Sequence, residues 1–328
     1  MRHDYFEGWY FKQSAGSAGG IWSFIPGIAK GGSEESGYSF VQVIEGQSGK
    51  SWWFQYEIED FHAATKGLDI VVGPNRFGKS GIKLDLSDGK ASIRASFAFG
   101  PFTTVASPPW SPGVMGPFSF VPFMECRHGL VSLDHLVSGF VETEGRRVEI
   151  PEGRGYIEKD WGRSMPESWI WTQCNDFPER GDSVMLSIAT IPWLGSSFRG
   201  FLCVARIGGR TLSFTTYNGA RIAALTVSDA EVRCALVRGT EKLELVVTRT
   251  RGGILRAPVR GLLSRRIAEA VDARMELRLV RSGRVMAESA SAHAGLETAG
   301  DTAGLCSGRP AGRDSRGGTR LSKGDAGG

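Results

Sequence analysis

Apolar and polar residues alternate with period two along much of this 328-residue chain. In the first half the runs "YSFVQVI" (38–44), "WWFQYEI" (52–58), "GIKLDLS" (81–87) and "ASIRASFAF" (91–99) predict strands that bury one face. In the second half the same alternation predicts strands over 184–190, 201–207, 211–217, 231–237, 243–249 and 275–281. Gly, Asp, Ser and Asn turns separate them, and "SDGK", "RIGGRT" and "RSGR" read as hairpin connections. Many short strands at intervals of about ten residues point to barrels or sandwiches. One helix is predicted over 262–275, "LLSRRIAEAVDARM". The segment 13–37 is rich in Gly and Ser and reads as a loop carrying an apolar patch, "IWSFIPGI", at 21–28.

A weak internal repeat suggests two halves. "EGWYFKQ" (7–13) aligns with "ESWIWTQ" (167–173), pairing Glu7 with Glu167, Trp9 with Trp169 and Gln13 with Gln173. The division this predicts is an N-terminal β domain over 1–150, a C-terminal β domain over 151–300 and a polar, Gly-rich disordered tail over 301–328.

Composition narrows the function classes. The basic excess sits partly in the tail, so the body is nearly neutral and has no electrostatic footprint for nucleic acid. The five cysteines show no C-x-x-C spacing, which argues against a zinc site or a redox pair and favours buried thiols. "GPNRFGKS" (73–80) satisfies the phosphate-loop pattern in full. That loop needs a following helix whose N-terminal amides hold the phosphates. Here Ile82, Leu84 and Leu86 alternate with polar residues, so a hairpin is expected and nucleotide binding is not.

Three clusters carry candidate chemistry. In "GYIEKDWG" (155–162), read as a strand, Tyr156, Glu158 and Asp160 share one face while Ile157, Lys159 and Trp161 take the other. If the acidic face is buried, at least one carboxyl pKa rises and the group can donate a proton near neutral pH. If it meets water, it is a solvated stripe. In the following strand, Trp169, Trp171 and Gln173 share a face that is either core or a π-lined wall suited to a cation. Upstream, "PFMECRHGLVSLDH" (122–135) gathers Glu125, His128, Asp134 and His135. No third histidine lies nearby, so a His–carboxylate hydrogen bond, with a proton-handling role for His128, is favoured over a metal site. No Ser or Cys stands in a nucleophile context.

These stretches, with "YFEGWYFK" (5–12) and "HAGLE" (293–297), resemble the tocopherol cyclase family from about residue 5 to about 297. The resemblance implies an all-β fold of two tandem calycin or lipocalin-like antiparallel barrels, with the one short helix near the end of the second. It also implies ring closure of a prenylated benzoquinol to a chromanol: the prenyl double bond is protonated and the phenol oxygen captures the cation. Such chemistry calls for no metal and no cofactor. "GYIEKDWG" is more distantly similar to the Y-x-D-x-N-x-G segment of carotenoid 1,2-hydratases. Tyr156 and Gly162 match that pattern, Glu158 falls where the acid lies, and Asp160 replaces the Asn. The catalytic set expected from this is Glu158, Asp160, Tyr156 and His128; Trp9, Trp169, Trp171, Glu125 and His135 are expected to bind substrate.

The rival expectations are a non-catalytic lipocalin-like carrier of a prenyl lipid and an isoprenoid hydratase. The expected partner is a small hydrophobic prenylquinol, with peripheral membrane contact through the apolar stretches 21–28 and 101–118, which otherwise pack over the barrel mouth. No signal peptide, transit peptide or membrane-spanning run is visible, which predicts a cytoplasmic or peripheral-membrane protein.

Overall fold

A computed structural model describes residues 4–16, 20–31, 37–122, 124–193 and 195–308. Nearly all of it is antiparallel β, in two large curled sheets. The first sheet takes four strands from the N-terminal segment, β1 (Tyr5–Ser14), β2 (Ile21–Lys30), β3 (Tyr38–Glu45) and β4 (Ser51–Tyr56). Shorter strands follow: β5 (Phe61–Ala63), β6 (Asp69–Val72), β7 (Asn75–Gly78), β8 (Gly81–Ser87) and β9 (Ser92–Phe99). Two long strands, β10 (Cys126–Thr143) and β11 (Arg146–Gly162), complete it. The second sheet contains β12 (Trp169–Cys174), β13 (Ser183–Trp193), β14 (Ser196–Ile207), β15 (Arg210–Thr215), β16 (Arg221–Val227), β17 (Glu231–Arg238), β18 (Glu241–Thr248), β19 (Gly253–Val259), β20 (Leu262–Arg281) and β21 (Arg284–Ala299).

Both sheets follow one plan. The first strand of each half pairs with its last, β1 with β11 and β12 with β21, and successive hairpins extend outward from that seam. In the second sheet β19 pairs with β20 off the main path. Each sheet curls around its own apolar interior, with Phe11, Phe24, Phe77 and Ile157 in the first and Leu186, Phe214, Leu245 and Met275 in the second. A third cluster, including Tyr10, Tyr156, Trp169, Trp171 and Val271, lies between the two sheets. Strands on the outside alternate buried and wet residues, as in β8 and β9. The seam strands cannot, because one face packs into their own sheet and the other against the second sheet; β12 is buried at every position.

Four expectations need correction. The predicted helix at 262–275 is the first two thirds of β20. Register shifts between Ala270 and Ala273 and between Ala273 and Met275 break the alternation there, so the apolar spacing imitates a helix while strand pairing decides the outcome. "IWSFIPGI" is not a loop but β2, paired between β1 and β3 and almost wholly buried, so it offers no surface for a membrane. The halves do not part at 150, because β11 runs through that point; the change of sheet falls at 163–168. The tail expected to be disordered from 301 begins with a short helix, α1 (Thr302–Ser307), capped by the Asp301 side chain and anchored by the buried Leu305. Residues 309–328 lie outside the described residues.

The phosphate-loop look-alike is the β7–β8 hairpin, and no helix follows it. Gly73 has φ 55°, and a side chain there would strike the Tyr56 ring. No helix among the described residues is long and apolar enough to cross a membrane.

Candidate active site

The acidic face of β11 is buried at Tyr156 and Glu158 and half-buried at Asp160, but not inside a barrel. It looks into the space between the two sheets. Opposite faces of the strand divide as period two requires: Ile157 joins the interior of the first sheet, and Tyr156 joins the cluster between the sheets. A cavity of about 180 Å³ opens there, lined among others by His128, Glu158, Asp160, Trp169, Trp171 and Glu297. Gly8 stands opposite Asp160 in the β1–β11 register and also lines the cavity, so the absence of a side chain leaves room beside the carboxylate.

Glu158 is 4% exposed. Its Oε2 accepts hydrogen bonds from the Tyr156 hydroxyl and, at 3.1 Å, from the Trp171 indole Nε1. His128 of β10, directly opposite Asp160 in the register, bridges the two acids. Its Nδ1 lies 2.8 Å from Asp160 Oδ1 and its Nε2 3.4 Å from Glu158 Oε2. Burial pushes Glu158 up to about 7; Asp160 adds to that, while His128, Tyr156 and Trp171 oppose it. For His128 burial alone would lower the pKa, but Asp160 and then Glu158 outweigh it and raise it to about 9. At neutral pH the centre therefore sets an imidazolium against a Glu158 carboxyl poised to give or take a proton.

One ligand atom from each of His128, Glu158 and Asp160 lies within 4.8 Å of the others, so the trio could hold a cation by count. The donors do not fit that use well. Two hydrogen-bond donors already converge on the Glu158 oxygen, and a His128 held as imidazolium has no free lone pair to offer.

Strand β12 supplies the indole wall. Trp169 and Trp171 share a face, and the Trp171 ring packs close against β21 at Gly295, where a Cβ would come 2.6 Å from it. The segment 101–122 straps the cavity from outside. Met115 lines the cavity, the Tyr217 hydroxyl donates to the Val114 carbonyl at 2.8 Å, and the Phe118 ring packs beside Phe198 and Tyr217.

The model of the tocopherol cyclase-like family matches residues 80–300. This chain belongs to the tocopherol cyclase-like family. A 68-residue stretch is 37% identical to the chloroplastic tocopherol cyclase of Zea mays, covering 21% of this chain and 14% of the maize protein. Among solved structures, a protein assigned as AttH from Nitrosomonas europaea superposes with a TM-score of 0.52 at 13% identity, covering 90% of this chain and 92% of that one. CghA does so with a TM-score of 0.55 at 8% identity, covering 90% and 88%. At those identities the two structures establish the lipocalin-like fold alone.

Two family-motif residues expected to bind substrate, Trp9 and His135, stand elsewhere, and a third, Glu125, sits at the cavity rim. Trp9 points into the interior of the first sheet, under Lys159, whose Nζ lies 4.5 Å from its ring centroid. The repeat aligned Trp9 with Trp169, yet the two face opposite ways; in β1 it is Phe6, Gly8 and Tyr10 that reach the cavity. His135 is buried between the Phe99 and Phe102 rings, and burial with the nearby Arg154 lowers its pKa to about 3, so it is a neutral core histidine. Glu125 lines the cavity only at its exposed rim.

Sequence reasoning missed Tyr10, Glu269 and Glu297, which form a second polar centre in this tocopherol cyclase-like protein. Glu297 was within reach, since it ends the "HAGLE" motif. Glu269 was hidden by the helix assignment. A further Ser14–Asp176–His293 cluster does not make an activated nucleophile, because the Ser14 hydroxyl donates straight to Asp176, and His293 Nδ1 turns to the same carboxylate at 2.6 Å.

Proposed function

We propose that this chain is a ring-closing isomerase of the tocopherol cyclase type, acting on a prenylated benzoquinol. The observation that carries the proposal is Glu158, a carboxyl buried in a cavity wall and pushed up to about 7 beside a fixed imidazolium. Glu158 is the general acid. Its O–H breaks as a C–H bond forms at the less substituted carbon of the prenyl double bond, leaving a tertiary cation. The phenol oxygen then bonds to that cation and closes the ring. No water is consumed and the mass is unchanged.

The other residues take roles their contacts allow. Tyr156 and Trp171 fix one Glu158 oxygen, and Asp160 orients His128. His128 steadies the carboxylate that Glu158 becomes. The Trp169 and Trp171 faces stabilise the cation, an attraction of about 2 kcal/mol per well-placed ring when water is excluded. Trp110 and Phe120, exposed on the outer side of the strap, would meet the lipid that holds the substrate.

The test is incubation with a prenylated hydroquinone and mass-resolved chromatography. A product of unchanged mass and altered retention is expected. Gain of one water would make the protein a hydratase, and recovery of intact ligand alone would make it a carrier.

A further inference from the structure

Ring closure leaves a proton on the phenol oxygen, and the cavity wall opposite β11 holds a place for it. Glu269 of β20 and Glu297 of β21 face each other directly in the strand register. Trp169 Nε1 donates to Glu297 Oε2 at 2.9 Å. The Tyr10 hydroxyl donates to Glu269 Oε1 at 2.5 Å and accepts from Ser23 Oγ at 2.8 Å. Glu269 is fully buried, and its Oε2 faces no donor. Neither acid forms an ion pair among the described residues; the nearby buried Lys12 spends its Nζ on Gln173 Oε1 at 3.1 Å and on the His293 carbonyl at 2.5 Å.

Two carboxyls so placed cannot both be ionised, so they hold one proton between them. Burial, and then Glu297, keeps Glu269 well above the usual carboxyl range. Glu297 is pushed up to about 7 by burial, against the hydrogen bonds from Trp169 and Glu269, with Asp160 adding to the rise. Of the pair only Glu297 lines the cavity. Trp169 and Trp171 are two residues apart on one face of β12, about 7 Å. Since Trp171 holds Glu158 and Trp169 holds Glu297, the two carboxyls face the cavity from neighbouring indoles.

We propose that Glu297 is the catalytic base that takes the phenol proton, with Glu269 and Trp169 as the positioning residues that keep it ionised and aimed. The proposal rests on the ring-closing function above. A lone pair of the phenol oxygen forms the C–O bond, the O–H electron pair returns to that oxygen as a lone pair, and the proton passes to the Glu297 carboxylate. Glu158 has by then lost its proton to carbon. Exchange of both carboxyls with solvent restores the starting state, and no oxidant or reductant enters.

The experiment follows wild type, Glu158→Gln and Glu297→Gln with a prenylated hydroquinone in deuterated water, scoring ring-closed product and deuterium in recovered substrate. Glu158→Gln should give neither, because the alkene is never protonated. Glu297→Gln should slow ring closure by about 10²-fold or more while the recovered substrate gains deuterium on its prenyl chain, since protonation still occurs and reverses. Ring closure at the wild-type rate in Glu297→Gln overturns the proposal. So does loss of both signals with an unchanged melting temperature, which would place Glu297 in the first step. Wild type that yields neither product nor deuterium overturns the ring-closing function itself, and this role with it.

Trp169→Phe is the second variant. It removes the N–H that favours ionised Glu297, so the Glu297 pKa rises and the base becomes available only at higher pH. The rising limb of the pH–rate profile should move upward. Glu269 on β20 and Asp160 on β11, which act on Glu297, stay in place, as do Tyr10, His128 and Glu158 in the same cavity and Arg265, 4.9 Å over the ring at position 169. A uniform loss of rate with an unmoved limb means a structural Trp169 and overturns the positioning role.

Discussion

The two carboxyl centres of the cavity are built alike and neutralised differently. Glu158 is buried and Glu297 half-buried, and each receives an indole N–H from β12. On the first sheet Glu158 and Asp160 share a cation, His128, that lies within 3.4 Å of both. On the second sheet Glu269 and Glu297 have no cation in contact among the described residues, Lys12 acting on Glu269 only from a distance, and in the proposed role a shared proton takes its place. Burial penalises charge on both walls, and the two differ in what offsets it. A cation beside a carboxyl stabilises the conjugate base, which suits a group that gives a proton away. A carboxyl backed by a protonated partner suits a group that accepts one. Because the walls come from different halves of the chain, neither sheet holds both devices.

The largest expected effect tests the first centre. Glu158→Gln keeps the hydrogen-bonding shape and removes the acid. Turnover on a prenylated hydroquinone should fall by about 10²–10⁴. Binding, followed by quenching of the cavity tryptophans, should persist. A variant that turns over like wild type would break the assignment of donor and acceptor walls.

Stability against pH separates the centres next. The folded His128 pKa of about 9 lies above its ordinary 6.5. The imidazolium therefore contributes stability that is full below 6.5 and is lost as pH rises through 9, by at most about 3 kcal/mol. Glu158, raised from 4.5 to about 7, acts in the same direction in a lower window, full below 4.5 and gone above 7. Urea midpoints should thus fall between 6.5 and 9 in wild type, and His128→Gln should flatten that window. A wild-type midpoint that holds steady there would remove the cation from the first centre.

Much of this was legible in the sequence, for physical reasons that also mark where legibility ends. Alternation revealed β8, β9 and the outer strands of the second sheet because one face of each is wet. It failed for β2, which is buried on both faces and reads as an undivided apolar patch. It failed in β20, where bulges shift the apolar spacing. Period two also placed Tyr156, Glu158 and Asp160 together and turned Lys159 away, because parity depends only on the strand. What the face looks at depends on the packing of two sheets, which no local pattern encodes. The same gap explains Trp9: the repeat matched residue types, but parity relative to the second sheet is inverted.

A smaller effect probes the junction between the centres. At Gly295 a Cβ would meet the Trp171 ring at 2.6 Å, so Gly295→Ala must displace the indole that holds Glu158. Overpacking of this kind costs about 1–3 kcal/mol, measurable by urea denaturation. Turnover should drop as the Glu158 hydrogen bond is lost, while Trp169, two residues along β12, keeps its hydrogen bond to Glu297.

The smallest effect concerns the residue between the two acids in sequence. Lys159 stands next to Glu158 and Asp160, where proximity along the chain would make it their counter-ion. In the fold its Nζ pairs with Glu7 and lies 4.5 and 5.1 Å from the Trp9 and Trp161 ring centroids, on the far face of β11. Lys159→Met keeps the aliphatic stem and removes the charge, at a cost of about 1 kcal/mol for a partly exposed ion pair and its aromatic contacts. Turnover and its pH profile should match wild type, because the cation that serves the acids is His128. A shifted profile in Lys159→Met would mean that the charge reaches the cavity across the strand, and the contrast between a cation-balanced wall and a proton-balanced wall would have to be redrawn.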